Sequence, residues 1–143
     1  LAADEGLDYH LDKVVPGNTF DAHRLLHLAA ERGMQDALKE ALLAAYFTES
    51  RAIGETATLA GVAVSVGLDP DEVAGVLASD AYAAAVRQDE ADAASLDITG
   101  VPCFVIDRKF SIPGAMDPAL ILRALVRAWE ETQAATTAGA EAG

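Results

Sequence analysis

A mostly α-helical chain that closes on a ββα unit is the fold class this sequence predicts, on three observations. Through about Leu96, apolar residues recur at helical spacing, punctuated by cap-and-proline signals. At Ile98 the texture changes. Thr99-Gly100-Val101-Pro102 cannot continue a helix, because proline lacks an N–H and biases its predecessor toward extended backbone. Beyond it, residues 103–106 and 110–112 read as the strands of an antiparallel hairpin, and one more capped helix follows.

The elements follow in order. Residues 1–15 mix charges with scattered apolar positions, and Pro16-Gly17 closes them off as a turn. Asn18 can cap a first helix, with Asp21 in a capping-box-like position near the positive helix end. Phe20, Leu25, Leu28 and Ala29 repeat at helical spacing until Gly33 stops them. A second helix begins near Gln35, with Leu38, Leu42 and Tyr46 on one face. Residues 56–66 read as a third, ended by Gly67. Asp69-Pro70-Asp71-Glu72 is a compact start signal for a fourth over 70–78: a cap, a proline at the first helical position, then two acids. A fifth spans about 80–96 with Tyr82, Val86 and Ala93 inward. After a turn at 107–109, Pro113-Gly114 ends the second strand, and Asp117-Pro118 repeats the start signal. Leu122, Leu125, Val126 and Trp129 mark the apolar face of the last helix, and both Trp129 and Tyr82 are expected in the core. From Gln133 the chain is Ala, Thr, Gly and Glu with nothing to pack, so fraying is expected. The predicted division is a helical domain over 1–97, a ββα part over 98–132 and a disordered tail over 133–143.

A chain of 143 residues has core enough for one ordinary domain, and 52% hydrophobic residues exclude a disordered acidic tail. Ten Lys and Arg against 23 Asp and Glu leave a net charge of −13. That argues against nucleic acid as a partner, since phosphate binding needs clustered cations, and against anionic membrane surfaces. No run approaches the ~18 apolar residues of a membrane helix. The single cysteine, Cys103, excludes an internal disulfide, a CxxC pair within the chain and a multi-thiolate zinc site. Nothing in the pattern asks for a cofactor. The chain opens on Leu1 without a leader-like segment after it, so a removed segment is expected before it. A lone two-stranded ribbon is marginal in water, so the sheet reads as incomplete.

The segment at 99–118, TGVPCFVIDRKFSIPGAMDP, resembles the C-terminal ββα half of a thioredoxin fold. NTFDAHRLLHLA at 18–29, AYFTE at 45–49, GLDPDEV at 67–73 and DEADAASLDITGVP at 89–102 resemble the DsbA family. Within it they are most similar to the cytoplasmic FrnE-like branch, whose helical domain is inserted into the thioredoxin fold. The resemblance runs from about Leu1 to Trp129. In that family the proline starting the strand is cis and faces the redox dithiol, and Pro102 holds its place. The resemblance therefore implies a substrate-binding loop of Thr99, Gly100, Val101 and Pro102, with the Val101 backbone turned outward to pair with an extended peptide. It also implies a CxxC on a preceding βαβ part that is absent from this chain. No catalytic residue then lies within the chain, which by itself is expected to be inert in thiol–disulfide exchange, since a dithiol cycle needs an attacking thiolate and a resolving partner. The implied partner is a protein or a small thiol or disulfide, and the implied location is the cytoplasm.

Two other readings stand beside it. Kappa-class glutathione transferases and 2-hydroxychromene-2-carboxylate isomerases share the inserted helical domain and use a serine with bound glutathione. FDAHRLLHLA and IPGAMDP resemble the FrnE-like branch more closely. A non-catalytic module, in which an acidic helical domain presents a peptide groove, is the third.

Individual residues carry competing readings too. Cys103 directly follows the candidate cis-proline, where relatives more often carry Phe or Thr. It is either an auxiliary thiol near the missing dithiol or a buried strand thiol packing as a small hydrophobe; no Lys, Arg or His adjoins it to favour its thiolate. His23, His27 and Glu31 share a helix face at i, i+4 and i+8, a spacing that can hold a divalent metal, but no HExxH pattern accompanies them, and the reading favoured is no metal. Arg87, Asp89, Glu90 and Asp92 read as the wet face of the fifth helix rather than an acid–base pair. If the sheet is incomplete, its free edge and the apolar residues beside it favour homodimerisation.

Overall fold

The computed structural model describes the backbone of residues 2–141 and side chains through Gln133. The chain divides into two compact units, Leu1–Glu90 and Ala91–Gly143.

The first unit holds α1 (Phe20–Glu31), α2 (Gln35–Phe47), α3 (Thr56–Ser65), α4 (Pro70–Leu77) and the first half of α5 (Ala83–Ser95). Each of the first four turns an apolar stripe inward, and α1 packs against α2, α3 and α4. Leu25, Leu38, Leu59, Val62 and Val73 are fully buried where those stripes meet. Each such side chain contributes about 1.5–3 kcal/mol by leaving water. On α2, Ala45 rather than Tyr46 completes the buried face with Leu38 and Leu42, since i, i+4 and i+7 fall on one side of the helix and Tyr46 lies at its edge, half-buried.

Caps follow the sequence signals at one helix and depart from them at another. Asp69 accepts from the N–H groups of Asp71 at 2.9 Å and Glu72 at 3.0 Å, satisfying donors that the first turn of α4 leaves free. Before α1, the Asn18 carboxamide accepts the Phe20 N–H at 2.8 Å, yet Asp21 does not complete a capping box. Its carboxylate is drawn instead to Arg24, one turn on, at 2.9 Å. Gly17 and Gly54 let two loops meet: a Cβ on either would stand 3.0 Å from the other's Cα.

The fifth helix is shorter than its pattern suggests. It begins at Ala83, because Tyr82 adopts φ 61° and the turn before it closes with the Ala83 N–H on Asp80 O at 3.0 Å. Val86 is its buried residue, while Tyr82 and Ala93 are only half-buried.

In the second unit β1 (Cys103–Ile106) pairs antiparallel with β2 (Phe110–Pro113), in the register Cys103↔Pro113 through Ile106↔Phe110. The turn between them places Asp107 and Arg108 at φ 51° and 53° and closes with the Lys109 N–H on Ile106 O at 3.1 Å. Among the described residues the sheet has these two strands. Helix α6 (Pro118–Glu141) starts where Asp117 accepts the Ala119 N–H at 2.8 Å, and packs on β2. Its backbone is helical as far as Glu141, and the last two residues of the tail lie outside the described residues. Trp129 is not core: it is 67% exposed, and Leu122, Leu125 and Val126 on the same helix are exposed with it. The residues that meet β2 from α6 leave this wider apolar stripe uncovered, while Ala128 and Ile112 are buried.

Candidate functional site

The hairpin separates two faces, because residues directly opposite in an antiparallel pair point the same way. Cys103 and Val105 share one face with Pro113 and Ser111; Phe104 and Ile106 share the other with Ile112 and Phe110. The first face lines a cleft of about 510 Å³, and the loop before β1 forms part of its wall. Thr99, Gly100, Val101, Pro102 and Cys103 all border this cleft, so the five residues singled out from sequence are brought together.

Proline ends the approach to β1 and fixes the loop locally. The Val101–Pro102 peptide bond is cis. Val101 stands out from the surface at 92% exposure, an extreme for a β-branched apolar residue. The loop is anchored from the other end of the hairpin, where the Gly114 N–H donates to Pro102 O at 2.7 Å. Cys103 is half-buried and free of any disulfide. A lone thiol can be attacked or can attack once, but it cannot release a mixed disulfide by itself. The far end of the cleft carries Arg108 and Lys109, and Lys109 is held by Asp107 at 2.7 Å.

The opposite face of the hairpin is covered only in part. Ile106, Leu125, Val126 and Trp129 border an apolar hollow of about 600 Å³.

The histidine stripe is not assembled for a metal. His27 Nε2 lies 2.8 Å from Asp89 Oδ2, and the imidazole stacks on Tyr82 with centroids 6.3 Å apart. Glu31 accepts from the Tyr82 hydroxyl at 2.8 Å. His23 lines a separate cavity with α2 residues. Among the described residues no group of three His, Cys, Asp or Glu is placed to hold a metal ion. Arg87 lies 3.9 Å from Glu90 and sits over the Phe20 ring at 5.0 Å. That leaves this helix face as a set of exposed pairs rather than an acid–base site.

Sequence reasoning missed Arg24, the one buried charged residue among those described, at 4% exposure. Its guanidinium donates to Asp21 at 2.9 Å, to Ala81 O at 2.8 Å, and to the carbonyls of Val76 and Ser79. It ties α1 to the corner between α4 and α5. The available signal was a cation at position 24 within the apolar stripe of Ala22, Leu25 and Leu28.

Two further contacts order the same unit. Arg32 grips the Glu72 carboxylate with two donors, and this hydrogen bond, helped by the guanidinium charge, holds the Glu72 carboxyl below its ordinary range against the opposing effect of desolvation. The Tyr82 hydroxyl is raised above its ordinary value, first by its hydrogen bond to Glu31 and then by burial.

A helical unit in one chain with a ββα unit whose strand follows a cis X–Pro bond defines the class: a thioredoxin-like chain carrying a helical domain. The chain belongs to the DsbA family. The DSBA-like thioredoxin domain matches residues 1–126. A crystal structure of a probable DsbA oxidoreductase from Streptomyces coelicolor is similar over 91% of this chain, with 46% identity and a TM-score of 0.83. The chain spans 56% of that protein's length. No curated protein matches. Among the described residues no helix is long and apolar enough to cross a membrane.

Proposed function

We propose that this chain supplies the substrate-side part of a FrnE-like protein-disulfide oxidoreductase. The observation that carries the reading is the Val101 main chain, held out over a cleft by the Pro102–Gly114 hydrogen bond. An extended peptide can pair with the free backbone groups there, the mode by which strands are added to an exposed edge. Thr99 and Gly100 shape the approach, and Cys103 lies beneath it as an auxiliary thiol.

Exchange needs a dithiol, and these residues include one cysteine. The reading places that dithiol on a thioredoxin segment corresponding to the part of the Streptomyces protein with no counterpart here. The apolar stripe of Leu122, Leu125, Val126 and Trp129 is the surface such a segment would cover. Without it, the same stripe and the free strand edge favour a homodimer. The likeness to the FrnE-like branch carries a cytoplasmic location with it.

The test is a titration of the ¹⁵N-labelled chain with an extended peptide in which serine replaces the target cysteine. Saturable amide shifts at residues 99–101 and 103 are expected, and the chain alone should not reduce insulin disulfides. Shifts confined to the helical unit would overturn the reading. So would a natural longer form carrying a serine in place of the dithiol and binding glutathione, which would move the protein to the transferase and isomerase relatives.

A further inference from the structure

The first unit holds a cavity remote in sequence from the Val101–Pro102 loop. It is an open groove of about 500 Å³ along α1 and α2, within the range of small-molecule sites. Leu26, Leu42, Leu43, Phe47 and Ile53 make its lining mainly apolar. Four polar side chains border it: Thr19, His23, Lys39 and Tyr46. Among the described residues, the polar atoms of these four side chains form no hydrogen bond or ion pair.

Lys39, like Lys13, is exposed and has no carboxylate partner among the described residues, and it is the one that borders the groove. All four arginines of residues 1–90 have carboxylate partners: Arg24 with Asp21, Arg32 with Glu72, Arg51 with Glu49 and Arg87 with Glu90. This unit carries six Lys and Arg against sixteen Asp and Glu, so acceptors abound. Asp36 precedes Lys39 by one turn on α2, a spacing that permits pairing, and no pair forms. An ammonium left without a partner beside an apolar hollow complements an anion attached to an apolar body. His23, Tyr46 and Thr19 add neutral hydrogen-bonding groups that could orient such a headgroup.

We propose that this cavity binds an amphipathic monocarboxylate, with its carboxylate on Lys39 and its apolar body against Leu26, Leu42 and Phe47. A body of roughly ten to twenty heavy atoms suits a cavity of this size. The site needs no dithiol and no peptide at the Val101 loop, so it stands or falls separately from the oxidoreductase reading.

The experiment titrates the ¹⁵N-labelled chain with 2-naphthoate and with its neutral analogue 2-naphthamide. Saturable shifts are expected in residues 19–53, with the carboxylate binding about twofold to fivefold more tightly than the amide. Lys39→Gln should remove that preference, and because Lys39 is exposed the far-UV circular dichroism should not change. Leu43→Gln should weaken both ligands alike. Equal binding of the two ligands by the unaltered chain overturns the proposal, as does an unchanged preference in Lys39→Gln. Shifts mapping to α6, or groove shifts that track protein concentration without ligand, overturn it too, since they point to an exposed apolar stripe or a second copy.

Discussion

Removing the buried guanidinium with Arg24→Met is the sharpest test of how the helical unit is held together. Methionine keeps much of the aliphatic volume, so the change isolates the polar contacts. Arg24 donates to three carbonyls, those of Val76, Ser79 and Ala81, and to the Asp21 carboxylate. Val76 O keeps the Ser79 N–H at 3.3 Å, so it is not orphaned. Ser79 O and Ala81 O have no other donor among the described residues, and each loses about 1 kcal/mol, the low end for an unsatisfied group, because their exposed neighbours admit water. The lost charge-assisted bond to Asp21 adds about 1 kcal/mol, discounted for the exposure of that carboxylate. The total is about 3 kcal/mol. With a urea slope of ~1.5–2 kcal/mol per molar, the midpoint should fall by about 1.5–2 M. The assay is urea unfolding of the full chain followed by circular dichroism at 222 nm. Hydrogen exchange at the Val86 amide should accelerate in parallel, since its acceptor Tyr82 O lies in the corner that Arg24 anchors. A midpoint shift below about 0.5 M would refute the reasoning, because the guanidinium contacts would then be close to neutral.

Two further outcomes follow from the same unit. Gly54→Ala should destabilise the chain by about 1–3 kcal/mol, since the added Cβ would meet the Gly17 Cα at 3.0 Å and two loop backbones must part; thermal unfolding checks it. Glu72 has a lowered carboxyl pKa when folded, so the stability it contributes is present above the ordinary carboxylate range and is lost as pH falls through its depressed value. Glu72→Gln should therefore flatten the acid limb of an unfolding titration, and an unaltered limb would mean that the Arg32 contact contributes nothing to stability.

The helices of the first unit were legible because each signal was local. Asp69-Pro70 sets a start by a side-chain cap and a fixed φ, and the spacing of Leu25, Leu28, Leu38 and Leu42 marks the buried stripes. The loop at 99–102 was legible for the same reason, since Gly-Val-Pro interrupts a helix and the short apolar run with β-branched members after it reads as a buried strand. Tyr82 was not, because its apolar ring fits a helix pattern while its left-handed backbone and its bond to Glu31 depend on a residue from α1.

By itself, then, the sequence determined the order of elements, the one-cysteine limit on redox chemistry and the place of the Val101–Pro102 loop, all properties of neighbouring residues or of composition. Only the tertiary structure decided that Arg24 is buried, that His27 meets Asp89, that Trp129 stays exposed and that Lys39 borders an apolar groove. Those facts depend on which side chains reach one another across tens of residues, and no local pattern carries that information.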